Sequence, residues 1–182
     1  FRDVPYVTEP FIEDTQEMKL PANSFAEVLD SLIKDLESVK QLAVKNYPVD
    51  KTNYQTGRIT QEAIYALLCD LYLWKQDYEK AIYYADLVIE SKTAKYQKQL
   101  DKMGGNVSAE DQMISGYPII SDKQSNSYGE AYSQIFVIGN SRESIFELNY
   151  SSDETMPSNG AISYYYGNAT TFPGIVKPAE FI

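Results

Sequence analysis

The 182-residue chain contains no histidine and a single cysteine, Cys69. Without histidine, neither a Ser-His or Cys-His nucleophilic site nor a histidine-ligated metal centre can form. One cysteine allows no internal disulfide and no Cys/His zinc cluster. The sequence therefore predicts no metal site and no cofactor, and it excludes many familiar classes of hydrolase.

Long apolar runs and basic clusters are also missing. No run of about 18 apolar residues occurs, so the sequence offers no candidate membrane-spanning helix. The formal net charge is −10, from 16 basic and 26 acidic residues. Because phosphate backbones and anionic lipid surfaces both attract clustered Lys and Arg, this balance argues against a nucleic-acid partner and against direct adhesion to a membrane surface.

Three regions of different composition divide the chain. Residues 1–23 contain three prolines and are predicted to form an extended lead-in. Residues 24–92 show helical periodicity, whereas residues 93–182 are rich in the Gly, Ser, Asn and Asp that are typical of loops. There is no initiator Met, and residues 177–182 look like the first turn of a helix. We therefore expect one domain of a larger protein, truncated at its C-terminus.

The central region predicts three helices. The first covers about Ser24–Val44 and begins with a capping box, in which Ser24 and Glu27 satisfy each other's backbone amides. The second covers Thr60–Lys75, and the third covers Tyr78–Ser91. Apolar residues lie on more than one face of the second helix, so we expect it to be buried on several sides.

The last two helices match the pattern of a tetratricopeptide hairpin, a helix pair about 34 residues long. In that pattern, aromatic and small side chains pack where two helix backbones approach closely. The scaffold positions are filled by Tyr65, Leu68, Cys69, Tyr72, Tyr78, Ala81 and Ala85. This pattern assigns Cys69 a packing role, and the spacing of Trp74 with Leu67 and Leu71 places the indole in the core.

The last region predicts mainly loops with a few short elements. A strand is predicted at residues 144–150, and short helical pieces are predicted at Tyr96–Leu100 and Glu110–Ser115. The predicted fold class is therefore mainly α, with tetratricopeptide-like helical hairpins and a loop-rich region that contains short strands.

Six phrases of the sequence carry a family resemblance: Phe1–Pro10, Ser24–Val39, Gly57–Leu73, Asp77–Ile89, Glu143–Glu147 and Lys177–Glu180. They resemble, in the same order, phrases of the SusD/RagB family of nutrient-binding lipoproteins. The first is similar to the family's GDVPLVTEP segment, the next three to its helices, the fifth to its ESIFEI strand and the last to the start of a later helix. The resemblance extends over nearly the whole chain but only the middle of a full-length member, and residues 104–133 match nothing in it.

The resemblance implies a SusD-like fold and a surface-exposed lipoprotein of the outer membrane in Bacteroidetes-type bacteria. Such proteins take part in polysaccharide utilisation: they capture glycans, or sometimes peptides, and pass them to a SusC-like TonB-dependent transporter. The lipid-bearing cysteine of the family lies at the mature N-terminus, a region that this chain lacks. Membrane association is thus expected only through that N-terminal lipid, and Cys69 is not the anchor.

Loop aromatics beside amide side chains are the candidate ligand-binding residues, because flat rings can stack on the C–H faces of sugars while polar groups bond the hydroxyls. These candidates are Tyr164, Tyr165, Tyr166, Asn168, Tyr128 and Tyr132. The alternative is that these tyrosines pack over the helices with their hydroxyls in water.

The sequence thus favours non-catalytic binding of an oligosaccharide or polysaccharide over catalysis. A glycosidase needs two carboxylates about 5–10 Å apart, whereas Glu143 and Glu147 lie about 13 Å apart on a strand. We expect structural roles for both and no enzyme. The alternative function is a helical protein-interaction scaffold or a peptide-binding protein that docks onto the transporter.

Overall fold

The computed structural model describes residues 3–13, 15–48, 54–105, 107–108, 111–121 and 130–148. The chain divides into two units, Phe1–Glu147 and Leu148–Ile182, and the following description concerns the first. Within the described residues the fold is mainly helical and contains no strand. Its helices are α1 (Phe25–Val39), α2 (Tyr54–Gly57), α3 (Gln61–Trp74), α4 (Tyr78–Met103) and α5 (Glu130–Tyr132), which continues as a π-helix over Ser133–Ile138.

Helix α1 begins as predicted and ends earlier. The Ser24 amide donates to Glu27 Oε2 at 2.8 Å, and the Ser24 hydroxyl accepts from the Glu27 amide, which completes the capping box. The predicted end at Val44 is wrong: α1 ends at Val39, and the residues that follow it bond to the start of α3. The Gln61 side chain donates to Lys40 O at 3.1 Å, and the Gln61 amide donates to Val44 O at 3.1 Å.

Helices α3 and α4 pack as a hairpin, as predicted. The turn between them is a Schellman motif: the Gln76 amide donates to Leu73 O at 3.0 Å and the Asp77 amide to Tyr72 O at 2.9 Å. Asp77 then caps α4 by accepting from the Lys80 amide at 3.2 Å. Asp77 therefore belongs both to the C-terminal motif of α3 and to the N-cap of α4, which makes the hairpin turn very short.

Helix α4 is much longer than predicted. It continues past Ser91 to Met103, so the separate helix predicted at Tyr96–Leu100 is its last part. Residues 92–103 are mostly good helix formers, and Tyr96 is buried and fixes this end to the fold. Gly104, at φ 60°, follows the helix in a conformation that favours glycine.

Two other predicted elements are absent from the described residues. Residues 111–115 form no helix; the chain reverses through Ser115 and Gly116, both at positive φ, and pairs Ile114 with Tyr117. Residues 144–148 form no strand. The Glu147 amide donates to Thr56 O at 2.9 Å, but within the described part no neighbouring strand offers a ladder of such bonds.

The core lies where α1 crosses the hairpin. It consists of Leu29 and Ile33 from α1, Ile64, Leu68, Leu71 and Tyr72 from α3, and Ala81 and Tyr84 from α4. Helix α3 is not buried on several sides as predicted, because α1 and α4 do not reach its remaining face. Leu67 and Leu73 are half-exposed there and Trp74 is 65% exposed, so the prediction of a core position for Trp74 is wrong.

Candidate functional site

A polar cluster joins α1 to the hairpin beside the apolar core. The hydroxyls of Tyr72 and Tyr84 donate to the same Glu37 oxygen at 2.8 Å and 2.6 Å. Lys40 pairs with the other oxygen at 2.5 Å and also donates to the Tyr84 hydroxyl at 2.8 Å. The spacing of three residues between Glu37 and Lys40 was the available signal in the sequence, but their tyrosine partners are distant in the chain.

The cluster fixes its own protonation states. Burial opposes ionisation of Glu37, but hydrogen bonds from Lys40, Tyr84 and Tyr72 outweigh it and lower its pKa to about 2. Burial and the Glu37 carboxylate raise the pKa of Tyr72 and of Tyr84. The carboxylate therefore stays charged and both phenols stay protonated near neutral pH, a state suited to holding helices together.

A second buried charge links the start of α3 to the middle of α4. Glu62 is only 4% exposed, forms an ion pair with Lys95 and accepts from the Ser91 hydroxyl at 2.6 Å. Next to it, Lys92 donates to Ser144 O at 2.7 Å, and burial lowers the pKa of Lys92. The Lys92 bond holds the segment around Ser144 against α4.

The two glutamates of that segment bond backbone amides. Glu143 accepts from the Ile120 amide at 2.5 Å, and Glu147 accepts from the Asn140 amide at 2.8 Å and 3.0 Å through its two oxygens. Carboxylates in these positions shape loops. Both glutamates therefore have a structural role, although the strand from which their separation was predicted does not form over residues 144–148.

The scaffold residues predicted from the sequence occupy different environments. Leu68, Tyr72 and Ala81 are buried, whereas Tyr65, Cys69 and Ala85 are partly buried. Burial and the Asp70 charge raise the pKa of the Cys69 thiol, which leaves it a poor nucleophile. Tyr78 begins α4 at the turn, where it is 60% exposed.

Of the predicted ligand-binding residues, the structure describes only Tyr132. It ends α5, is half-exposed and packs against Phe136 with ring centroids 5.1 Å apart. The other five, Tyr128, Tyr164, Tyr165, Tyr166 and Asn168, lie outside the described residues.

A groove that the sequence did not predict opens at the hairpin turn. It has a volume of about 330 Å³ and is lined by Asp70, Leu73, Trp74, Gln76 and Tyr78. Trp74 also packs edge-to-face on Phe25, with centroids 6.0 Å apart. A larger groove of about 660 Å³ runs beside α4, between residues such as Glu90 and Thr93 and the turn at Tyr117.

The described residues offer neither a cluster of metal ligands nor a membrane-spanning helix. No group of three or more Cys, Asp or Glu residues among them is arranged to hold a metal ion. None of the helices in the described part of the chain is both long and apolar enough to cross a membrane.

Comparison with protein-family models, with curated proteins and with solved structures finds no match to this chain.

Proposed function

We propose that the protein is a non-catalytic, surface-exposed glycan-binding protein of the SusD/RagB type, which delivers its ligand to a TonB-dependent outer-membrane transporter. The support begins with the ordered phrases that resemble that family, from Phe1–Pro10 to Lys177–Glu180. Attachment to the outer membrane would use the lipid-bearing cysteine of the family's N-terminal region. Cys69 does not serve this purpose, because its side chain packs against the hairpin core.

The observation that carries the proposal is a helical scaffold, joined by apolar and polar contacts, with aromatic side chains exposed at the surface. The α3–α4 hairpin is bound to α1 by the apolar core and by the Glu37 cluster. Outside that core, Trp74, Tyr78 and Tyr132 are each more than half exposed. Binding sites for sugars need rigidly held aromatic faces beside polar groups, and this scaffold provides such faces.

A non-catalytic role is supported by how the candidate carboxylates are used. Glu143 and Glu147, the pair considered for glycoside hydrolysis, both accept hydrogen bonds from backbone amides. Glu37 and Glu62 are held by tyrosine, serine and lysine side chains. A general acid needs a raised pKa, whereas the pKa of Glu37 and that of Glu62 are both lowered.

Affinity electrophoresis tests the proposal directly. The 182-residue protein is run in native gels that contain one polysaccharide each, with a protein of similar size and charge as the reference. We expect retardation in at least one gel, no release of reducing ends from that polysaccharide, and loss of retardation in a Tyr165→Ala variant. Unchanged mobility in every gel, or release of reducing ends, contradicts the proposal.

The alternative function, a helical scaffold or peptide-binding protein that docks onto the transporter, is favoured by one observation. Helix α4 leaves several apolar side chains at least 43% exposed, among them Ile82, Tyr83 and Ile89. A scaffold would capture a SusC-like transporter from detergent-solubilised outer membranes and show no affinity for any polysaccharide. Loss of capture in an Ile82→Asp, Ile89→Asp double variant would assign the contact to this helix.

A further inference from the structure

Trp74 is the only tryptophan of the chain, and it stands at the surface. It is 65% exposed at the end of α3. Its ring is nevertheless held in place, because it packs edge-to-face on Phe25 of α1 with an interplanar angle of 71°. The adjacent Lys75 forms an ion pair with Asp30 at 2.5 Å, which joins this end of α3 to α1. The indole is therefore both accessible and restrained.

The groove beside this ring combines apolar and polar groups. Leu73, Trp74 and Tyr78 supply the apolar lining, and Asp70 and Gln76 supply a carboxylate and an amide. Asp70 is exposed and forms no ion pair with any described residue. The volume of about 330 Å³ is near the lower limit of about 300 Å³ for small-molecule sites.

Gln76 occupies a backbone position at which glycine would be the most stable residue. It is the left-handed residue of the Schellman motif, with φ 62°, and glycine adopts this conformation without steric conflict. A glutamine here introduces backbone strain and places an amide in the lining of the groove. Strained residues that persist in a well-ordered turn are typical of ligand sites.

The residues that line the groove favour one class of ligand over others. A purely apolar ligand would desolvate the carboxylate of Asp70 and the amide of Gln76 without bonding them. An anion would be repelled by Asp70 and by the net charge of −10. A neutral sugar has both an apolar C–H face, which suits the negative face of an aromatic ring, and hydroxyls that can donate to a carboxylate and bond an amide.

We propose that this groove is a sugar-binding subsite, in which a pyranose ring stacks on Trp74 while its hydroxyls bond the Asp70 carboxylate and the Gln76 amide. The inference rests on the proposed glycan-binding function and adds to it a site on the helical hairpin. The residues of this subsite differ from the tyrosines predicted from the sequence.

Tryptophan emission, excited at a wavelength that tyrosine does not absorb, reports on this groove alone, because Trp74 is the only tryptophan. The 182-residue protein is titrated with cellohexaose, xylohexaose, mannohexaose and maltohexaose, and separately with tetramethylammonium. We expect an emission typical of exposed indole without sugar. With one hexasaccharide we expect a saturable shift to shorter wavelength and weaker quenching by acrylamide. The proposal is overturned if Trp74 emits like a buried indole before any sugar is added. It is also overturned if tetramethylammonium changes the emission and no hexasaccharide does.

Variants separate binding from folding. Trp74→Ala should weaken the affinity for the bound polysaccharide about tenfold or more. Leu42→Ala is the matched control, because Leu42 is 81% exposed and does not line the groove; this variant should keep its affinity. Gln76→Gly gives the sharpest test: it should raise the thermal midpoint by relieving strain and yet lower the affinity. A raised midpoint with unchanged affinity means that Gln76 has no role in binding and overturns its assignment.

The result also distinguishes this inference from the proposed function. If affinity electrophoresis shows retardation that Trp74→Ala and Gln76→Gly leave unchanged, the subsite is wrong and the glycan-binding function stands. If the unmodified protein is retarded by no polysaccharide and its fluorescence responds to no hexasaccharide, both are wrong.

Discussion

The Tyr84 hydroxyl donates to the Glu37 carboxylate at 2.6 Å, and this bond connects α4 to α1 across 47 residues of sequence. The same oxygen accepts from Tyr72 at 2.8 Å, so all three long helices of the hairpin region meet at one side chain. Helix α1 contributes only two buried apolar residues, Leu29 and Ile33, to the core. A polar junction therefore carries much of the attachment of α1 to the hairpin.

Replacing Tyr84 by phenylalanine tests this junction. The ring would remain, and with it the stacking on Tyr72 at a centroid distance of 5.7 Å, but the bonds to Glu37 and from Lys40 would be lost. We expect the free energy of unfolding to fall by about 1–2 kcal/mol in urea titrations, as for loss of charge-assisted bonds. Tyr83→Phe is the control, because Tyr83 is half-exposed on the same helix. Equal stabilities of the two variants would show that the junction contributes nothing.

The same carboxylate predicts a dependence of stability on acid pH. The pKa of Glu37 is about 2 in the folded protein, against an ordinary value of 4.5. A lowered pKa means that the unfolded chain binds the proton more readily, so the stabilisation is complete above pH 4.5 and is lost as the pH falls towards 2. Because Glu37 is 30% exposed, we expect about 1–2 kcal/mol after allowance for screening.

The measurement compares the unmodified protein with Glu37→Gln. Urea titrations at about pH 6 and about pH 2.5 should show a large stability difference between the two proteins at the higher pH and a small one at the lower. A difference that is the same at both pH values would mean that the ionised carboxylate is not what stabilises the fold.

Local signals predicted most of the helical part correctly. The capping box of Ser24 and Glu27 forms as predicted, because capping depends only on neighbouring residues. The hairpin was predicted from the spacing of apolar and small residues, and it forms. The end of α1 was predicted wrongly, and the residues beyond it bond to Gln61, which is distant in sequence.

The surface of the hairpin could not be predicted from periodicity. An apolar position such as Trp74 has the same spacing whether or not another helix covers it, and α1 crosses α3 on a different face. The Glu37 cluster was missed for a related reason: its partners lie on other helices. Of the candidate ligand residues, only Tyr132 falls within the described residues, so that part of the site stays a prediction.

Enlarging Ala81 should separate the hairpin helices. Ala81 is 2% exposed in the core between α3 and α4, and a close crossing leaves no space for a longer side chain. We expect Ala81→Leu to lower the free energy of unfolding by about 1–3 kcal/mol, as overpacking does. Ala94→Leu, at an exposed position of the same helix, should change it by less than about 0.5 kcal/mol. A fully stable Ala81→Leu protein would contradict the close packing of the two helices.

The buried ion pair between Glu62 and Lys95 should respond unequally to loss of its two members. Glu62 is 4% exposed, whereas the Lys95 side chain is 31% exposed and also donates to Lys45 O at 2.9 Å. Without its partner, Lys95 can therefore turn to water, but Glu62 cannot. We expect Lys95→Met to cost about 3 kcal/mol, near the lower limit for breaking a buried pair, and Glu62→Gln to cost about half of that.

Lowering the pH should remove the difference between the stability costs of Lys95→Met and Glu62→Gln. The ion pair and the bond from Ser91 outweigh burial and lower the pKa of Glu62 in the folded protein; in Lys95→Met, burial then dominates and should raise it. The stability cost of Lys95→Met should therefore shrink as the pH falls from above the ordinary Glu pKa of 4.5 to below it, because a protonated Glu62 carries no charge that needs a partner. Thermal unfolding of both variants at about pH 7 and about pH 3.5 measures the effect. Equal costs for the two substitutions at neutral pH would show that Glu62 reaches water in the folded protein.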